Sequence, residues 1–195
     1  MKWIVFFSQT GSEIVELSKE IKRSPDLILT NNFDESKYHP GIKELGSKII
    51  VDKHNALMDY LRFSEMGKPL ITLHGYLRIL PADICDKYEI YNGHPGFINA
   101  YPELKGKDPQ VRAYEGNYRW IGSVIHSVTA GVDEGPVIDF SARPNSVKSL
   151  DEMYSTLKNM SLYLWIKFMW SKLNEDSNKW RSVSRKDYPP ERFTV

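Results

Sequence analysis

Short apolar runs alternate with amphipathic segments through the first half of this chain, and that alternation limits the folds open to it. Trp3–Ser8 is apolar enough for a buried strand, and Ser12–Arg23 carries Ile14, Leu17 and Ile21 at helical spacing. The same pattern predicts further strands over 26–30, 48–52, 70–73 and 88–92, with helices over 54–66 and 81–87. Strands that alternate with helices favour an α/β fold in which a mostly parallel, twisted sheet is flanked by helices.

The second half of the chain has a different pattern. The segments 120–129 and 136–143 are rich in strand-forming residues and flank a predicted turn over 130–135. Ser149 and Glu152 have the spacing of a capping box that opens a long helix. The apolar stripe of that helix is Leu150, Met153, Leu157, Met160, Leu164 and Phe168. We therefore predict one domain over 1–174, followed by a C-terminal tail over 175–195 that packs on or near the same domain.

Charge and cysteine content argue against several classes of protein. The 26 Lys and Arg residues balance 25 Asp and Glu residues, which gives no reason to expect a nucleic acid or a membrane surface as partner. Cys85 is the single cysteine, so a disulfide within the chain is excluded. The apolar start is too short for a secretory signal, and no apolar run reaches membrane-spanning length. A cytoplasmic setting is the expectation, and the aromatic last helix is compatible with packing on the sheet or on a second copy in a homodimer.

Three polar side chains stand beside turn-forming residues. Asn92 and His94 lie in the run Asn-Gly-His-Pro-Gly, and Asp133 lies in the run Val-Asp-Glu-Gly-Pro. Both runs also fit ordinary turns, because Asn, Asp, Gly and Pro are the usual turn residues. As a functional set they suit acyl transfer to an amine. Asn92 can donate a hydrogen bond to a developing oxyanion, His94 can move a proton, and Asp133 can orient or charge the imidazole.

Three segments, in this order and spacing, resemble the folate-dependent formyltransferase family. They are Gly75–Pro81, Asn92–Pro95 and Ser123–Ile138, and the similarity extends over roughly residues 2–170. Each segment is weak alone, and the first also fits a plain strand-to-helix connection, but the ordered set is specific. The resemblance is greatest to single-domain enzymes of the phosphoribosylglycinamide formyltransferase type. It implies a Rossmann-like formyltransferase domain and 10-formyltetrahydrofolate as the formyl donor.

The resemblance also implies roles for individual residues. Asn92, His94 and Asp133 match the family's catalytic trio. Two loops match the walls of the pterin pocket, one formed by Arg78, Ile79 and Leu80 and the other by Ala130, Val132 and Asp133. His126 and Thr129 match positions near the active site, although a structural strand histidine is an equal alternative for His126. No metal is expected, because the five histidines lack a paired ligand spacing.

The acceptor end departs from the family pattern. In the glycinamide ribonucleotide enzymes a Gly-Ser-Asn run holds the substrate phosphate at a helix N-terminus, and the matching residues here are Gly11, Ser12 and Glu13. The backbone N–H groups of such a helix end still favour an anion. The Glu13 carboxylate either competes for these donors and repels a phosphate, or complements the helix dipole and points away. The sequence leaves both interpretations open.

The sequence thus predicts an enzyme that transfers a formyl group from 10-formyltetrahydrofolate to a primary amine. The expected acceptor is a small nucleotide- or sugar-linked molecule, with glycinamide ribonucleotide among the candidates. One alternative is a 10-formyltetrahydrofolate hydrolase, although such enzymes carry an additional N-terminal regulatory domain that this sequence is expected to lack. A second alternative is a folate- or nucleotide-binding module without catalysis, against which the intact Asn92, His94 and Asp133 argue.

Overall fold

The computed structural model of the chain describes residues 1–174, which form a seven-stranded sheet flanked by helices. The strands are β1 (Trp3–Phe7), β2 (Leu27–Thr30), β3 (Lys48–Val51), β4 (Leu70–Leu73), β5 (Glu89–His94), β6 (Trp120–Ser127) and β7 (Val137–Pro144). The α-helices are α1 (Ser12–Ile21), α2 (Gly41–Glu44), α3 (His54–Phe63), α4 (Ala82–Lys87), α5 (Pro109–Glu115) and α6 (Leu150–Asn174). Two short 3₁₀ helices cover Glu35–Lys37 and Pro102–Leu104.

The strand order is β3-β2-β1-β4-β5-β6-β7. The strands from β3 to β5 in this order are parallel, whereas β6 is antiparallel to β5 and β7 is antiparallel to β6. The chain order reverses between β1 and β4, and crevices at such reversals are where doubly wound sheets bind ligands. This architecture confirms the predicted α/β fold with a mostly parallel sheet.

Both faces of the sheet are covered by apolar side chains. Helices α1 and α6 pack on one face in a cluster that includes Val5, Tyr91 and Trp165. Helices α3 and α4 pack on the other face in a cluster that includes Phe6 and Ile90. Strand β1 is buried along its whole length, as expected for a central strand of a parallel sheet covered on both sides.

Each predicted element is present with ends within two residues of the prediction, except that the helix predicted over 54–66 ends at Phe63. The strand predicted to end at Asn92 continues to His94, because His94 pairs with Val124 across the antiparallel ladder between β5 and β6. Helices α2 and α5 were not predicted, since both are short. The predicted cap of α6 is present at Ser149, whose hydroxyl accepts the Glu152 N–H at 3.1 Å. The predicted tail over 175–195 lies outside the described residues.

Helix α6 is the longest helix in the described part of the chain. The predicted apolar stripe is buried except for Leu150, which is partly buried. Trp165 and Phe168 lie in the core, while Tyr163 is about half exposed. Within residues 1–174, no helix is both long enough and apolar enough to cross a membrane.

Candidate functional site

Asn92 and His94 occupy the last residues of β5 and project from the same face of the sheet, because side chains alternate along a strand. Gly93 between them faces the opposite side, where the indole of Trp165 packs against it. A Cβ at position 93 would lie 2.5 Å from the indole nitrogen, so only glycine fits there without a shift of the indole. Tight packing below β5 therefore fixes the two polar side chains above it.

Asp133 lies in the loop that connects β6 and β7. Its backbone has φ of 51°, in the left-handed region that non-glycine residues seldom adopt. The loop is closed at Gly135, where a Cβ would lie 1.7 Å from the backbone oxygen of Ser127. This tight turn folds the loop back over β5 and brings Asp133 to the two side chains at its end.

The Asp133 carboxylate is the centre of the site. Its Oδ2 lies 3.1 Å from Nδ1 of His94 and accepts the Gly106 N–H at 2.8 Å. Its Oδ1 lies 3.2 Å from Nε2 of His126 and 3.5 Å from Nδ2 of Asn92. The two sequence-distant runs that contain Asn92, His94 and Asp133 therefore meet in one cluster, as predicted.

Electrostatics keep Asp133 ionised. Burial raises the pKa of its carboxyl, but hydrogen bonds from His126 and His94, the charge of His94 and the Gly106 N–H together hold that pKa well below its usual range. The side chain is only 10% exposed, so these bonds are shielded from water. A permanent carboxylate at the centre of the cluster is the result.

The hydrogen bonds of His94 define which of its nitrogens is available for chemistry. Nε2 lies 2.9 Å from the backbone oxygen of Leu104, which can only accept, so Nε2 carries a proton. Nδ1 lies 3.1 Å from Oδ2 of Asp133 and makes no contact with Leu104. Nδ1 is therefore the ring nitrogen left to exchange a proton with a ligand, and it lies next to Asp133.

His126 is a buried residue of β6, directly opposite Asn92 in the ladder. Its Nδ1 donates to the Ser127 carbonyl at 2.9 Å, and its Nε2 faces both Asp133 and, at 3.2 Å, Nδ2 of Asn92. The two interpretations made from the sequence therefore combine, since His126 is a buried strand histidine that also contacts the cluster. It supports Asn92 and Asp133 from within the sheet.

The two loops predicted to form a pterin pocket flank the cluster. Tyr76 and Leu80 of the loop after β4, and Val128 at the start of the loop after β6, pack in the same apolar cluster. Ile79 and Val132 are 58% and 46% exposed, so each loop presents an apolar side chain to solvent. Of the remaining predicted pocket residues, Arg78, Thr129 and Ala130 are exposed and Leu80 is buried.

The predicted acceptor residues lie at the start of α1, on the other face of the sheet. Gly11 is buried with φ of 71° and begins the turn into the helix. The Glu13 carboxylate does not bind the helix end but lies 2.7 Å from Nδ1 of His74 and accepts the Ser161 hydroxyl at 2.6 Å. Burial raises the pKa of Glu13, but hydrogen bonds from His74 and Ser161 outweigh this effect and leave it lowered. Glu13 is thus a fixed negative charge in the first turn of α1.

Trp165 separates this acidic group from the Asp133 cluster. Its ring centroid lies 4.6 Å from that of His74, and the same indole packs against Gly93 of β5. The two groups of polar residues are therefore neighbours across β5 rather than one continuous cluster.

One open cavity adjoins the site. It has a volume of about 410 Å³ and is lined by Asp133 together with Asn99, Lys105 and Glu134, among others. A second cavity, of about 480 Å³ between β3 and α3, is lined by Tyr60 and Phe63 among others and includes no residue of the polar cluster. The cavity beside Asp133 is therefore the candidate binding site. Within residues 1–174, no group of three His, Cys, Asp or Glu side chains is arranged to hold a metal ion.

Sequence reasoning missed two partners of the Asp133 cluster and one partner of Glu13. Leu104 and Gly106 contribute backbone groups, which leave no signal in side-chain chemistry. His74 follows the buried strand β4, at the edge where ligand-binding residues of such sheets gather, and that position was the available signal.

Comparisons with known proteins identify the family of the chain. Residues 45–159, more than half of the chain, match the model of a family described as formyl transferase. The chain belongs to the formyl transferase family. This finding confirms the resemblance seen in the sequence and places the chain in a family of enzymes.

Two curated relatives show the range of activities in the family. A formyltetrahydrofolate deformylase of Synechocystis is 30% identical over 134 residues, which are 63% of this chain and 44% of the relative. A phosphoribosylglycinamide formyltransferase of Bacillus subtilis is 33% identical over 85 residues, which are 43% of this chain and 41% of the relative. The alignments thus span less than half the length of either relative.

The fold is shared with solved structures. The crystal structure of phosphoribosylglycinamide formyltransferase from Streptococcus pneumoniae superposes with a TM-score of 0.75, at 22% identity, over 88% of this chain and 98% of that one. A formyltetrahydrofolate deformylase from Pseudomonas syringae superposes with a TM-score of 0.73, at 20% identity, over 89% of this chain and 61% of that one. At these identities the similarity concerns the fold, which both kinds of enzyme share.

Proposed function

We propose that this formyl transferase moves the formyl group of 10-formyltetrahydrofolate to a primary amine of a small molecule in the cytoplasm. The observation that carries the proposal is the cluster in which Asp133 contacts both His94 and Asn92. An amide donor, an imidazole proton and a fixed carboxylate are the three groups that this reaction requires.

Each residue has a distinct part in the proposed reaction. As the acceptor nitrogen attacks the formyl carbon, negative charge grows on the formyl oxygen, and Nδ2 of Asn92 and the Nδ1 proton of His94 donate to it. One donor of this kind contributes roughly 3–4 kcal/mol to stabilising a transition state. Asp133 orients the His94 imidazole through the contact with Nδ1, and it accepts the proton that the attacking amine loses. That proton then passes to the folate nitrogen that leaves, so the reaction needs no other proton source.

The two loops beside the cluster support a flat heterocyclic donor. Ile79 and Val132 present exposed apolar side chains on loops that rest on a common apolar base. Exposed apolar side chains that flank buried polar groups are typical of small-molecule sites. Folate would bring both an apolar ring and polar edges to such a cleft, the edges reaching backbone groups of residues 78–80 and 130–133.

The test is product analysis with a labelled donor. The protein is incubated with 10-formyltetrahydrofolate carrying a ¹³C-formyl group, with and without a panel of primary amines, and products are identified by NMR. We expect a ¹³C-formamide that depends on one class of amine. Consumption of the donor at the same rate in buffer alone, with formate as the product, would contradict transfer to an amine.

A hydrolase is the second candidate, because the Synechocystis relative is a formyltetrahydrofolate deformylase. The same cluster would then act on water, with Asp133 accepting a proton from the water molecule. Release of formate at a rate that none of the amines reduces would favour the hydrolase.

Glu13 bears on the choice of acceptor. Its carboxylate is held in the first turn of α1, where a free helix end would otherwise attract an anion. We expect a phosphate-bearing amine such as glycinamide ribonucleotide to be used at least tenfold less efficiently, by kcat/KM, than its dephosphorylated form. Glu13→Gln, which keeps the shape and removes the charge, should reduce that preference.

Glu16→Gln is the matched control for this experiment. Glu16 lies one turn further along α1 and pairs at the surface with Lys158 at 2.6 Å. Its replacement should leave the ratio of the two acceptors unchanged. A melting temperature for each variant shows that folding is retained. Equal use of both acceptors by the unaltered protein would refute the role of Glu13.

A further inference from the structure

The segment Leu104–Gly106 touches both ionisable residues of the cluster through its backbone. The Leu104 carbonyl accepts from Nε2 of His94 at 2.9 Å, and the Gly106 N–H donates to Oδ2 of Asp133 at 2.8 Å. Gly106 has φ of 82°, which glycine adopts at no steric cost and which turns its N–H toward the carboxylate. One short segment thus contacts both the imidazole of His94 and the Asp133 oxygen that faces it.

Arg112 holds this segment in place. Its guanidinium donates to three successive carbonyl groups, those of Glu103, of Leu104 at 3.1 Å and of Lys105 at 2.7 Å. The rigid, planar fork of arginine donors suits such an array, whereas lysine offers a single point charge. The Leu104 oxygen therefore receives hydrogen bonds from Arg112 and His94 together.

The anchor for Arg112 is independent of the cluster. Arg112 lies on α5, whose Ala113 packs in an apolar cluster with Met153 and Leu157 of α6. Leu104 inserts its own side chain into the same apolar cluster and is 1% exposed. The position of the Leu104 carbonyl is thus fixed by core packing on one side and by the guanidinium on the other.

From these contacts we infer that Arg112 is a positioning residue for the proposed formyl transfer. Arg112 fixes the Leu104 carbonyl, and that carbonyl keeps the proton of His94 on Nε2. Nδ1, beside Asp133, is then the nitrogen that takes part in the reaction. Without the guanidinium the segment loses the hydrogen bonds to Leu104 and Lys105, and the preceding Glu103 carbonyl loses a third. The proton of His94 can then lie on either ring nitrogen. The Gly106 N–H is also no longer held in place to donate to Asp133.

The experiment compares Arg112→Met and Arg112→Lys with the unaltered protein, using two readouts. In Arg112→Met we expect kcat for donor consumption to fall at least tenfold while KM for the donor changes less than threefold. Arg112→Lys, which keeps a donor but loses the fork, should give an intermediate kcat. Arg119→Met is the matched control, since Arg119 is an exposed arginine of the same connection, and it should leave both parameters unchanged.

The second readout needs no substrate. In ¹⁵N NMR of the unaltered protein at neutral pH, Nε2 of His94 should have the chemical shift of a protonated ring nitrogen. In Arg112→Met both ring nitrogens should show intermediate shifts, the sign of mixed tautomers. If Arg112→Met does not fold, the ¹⁵N spectrum of Arg112→Lys tests the role of Arg112 instead. A partial mixture of the two His94 tautomers is expected in that variant.

The two proposals fail in different ways. A His94 spectrum and a kcat that match the Arg119→Met control would overturn the role of Arg112. No donor consumption by the unaltered protein would refute the proposed function, while the His94 spectra would still test Arg112.

Discussion

Asp133→Asn should lower kcat for formyl release by about 10²- to 10⁴-fold, the usual cost of losing a group that exchanges protons in the transition state. Both carboxylate oxygens of Asp133 accept hydrogen bonds, from His94 and Gly106 on one side and from His126 on the other. An asparagine presents one oxygen and one NH₂ group, so one of these partners meets a donor in place of an acceptor. Asparagine tolerates the left-handed backbone at this position, so the loop itself should keep its shape.

Steady-state kinetics with the formyl donor provide the measurement for this variant. The exposed Asp86 of α4 lies away from the loops of the site, and Asp86→Asn should match the unaltered protein. An Asp133→Asn variant that retains more than a tenth of the unaltered kcat would remove Asp133 from the proposed mechanism.

The pH dependence of stability gives a second readout of the same variant. The pKa of Asp133 is lower in the folded protein than in the unfolded chain, where an aspartate titrates near its ordinary value of about 3.9. The stabilising contribution of this carboxylate is therefore complete above that ordinary value. It is lost as the pH falls toward the lowered pKa of the folded state. Asp133→Asn should accordingly show a shallower loss of melting temperature between neutral and acid pH than the unaltered protein.

Asn92→Ala should reduce kcat by about 10²- to 10³-fold, the range found when one amide donor to an oxyanion is removed. KM for the donor should change much less, because this hydrogen bond strengthens only as charge develops on the formyl oxygen. Asn92 is half buried at the end of β5 and contacts His126 and Asp133, so its loss leaves the cluster intact apart from one amide.

Asn55→Ala serves as the control for this change, since Asn55 is an exposed residue of α3. Its kcat and KM should equal those of the unaltered protein. A large rise in KM for Asn92→Ala with an unchanged kcat would assign Asn92 to donor binding instead of to oxyanion stabilisation.

The fold could be predicted where hydrophobic pattern and burial coincide. Strand β4 begins and ends where the run Leu70–Leu73 does, because a central parallel strand is buried on both faces and favours apolar residues, interrupted here by Thr72 alone. The end of β5 could not be predicted in the same way. Gly93 and His94 are typical of turns in sequence, and only the ladder with β6 and the packing of Trp165 on Gly93 keep them in the strand.

The candidate site was predictable in its side chains but not in its supports. Asn92 and His94 share a face because they are two residues apart in an extended segment, and the resemblance to formyltransferases brought Asp133 to them. The Leu104 carbonyl and the Gly106 N–H belong to every residue type and carry no sequence signal. Glu13 was expected to act on the helix end or to point away from it, whereas tertiary packing places His74 and Ser161 within its reach.

We propose that the cluster of Asn92, His94 and Asp133 releases the formyl group of 10-formyltetrahydrofolate. The most direct test follows the ¹³C-formyl signal of the donor by NMR with the unaltered protein and with His94→Ala, in the presence of the acceptor panel. We expect that the unaltered protein consumes the donor and that His94→Ala binds it without measurable turnover. Equal rates of consumption by the two proteins, or no consumption by the unaltered one, would contradict it.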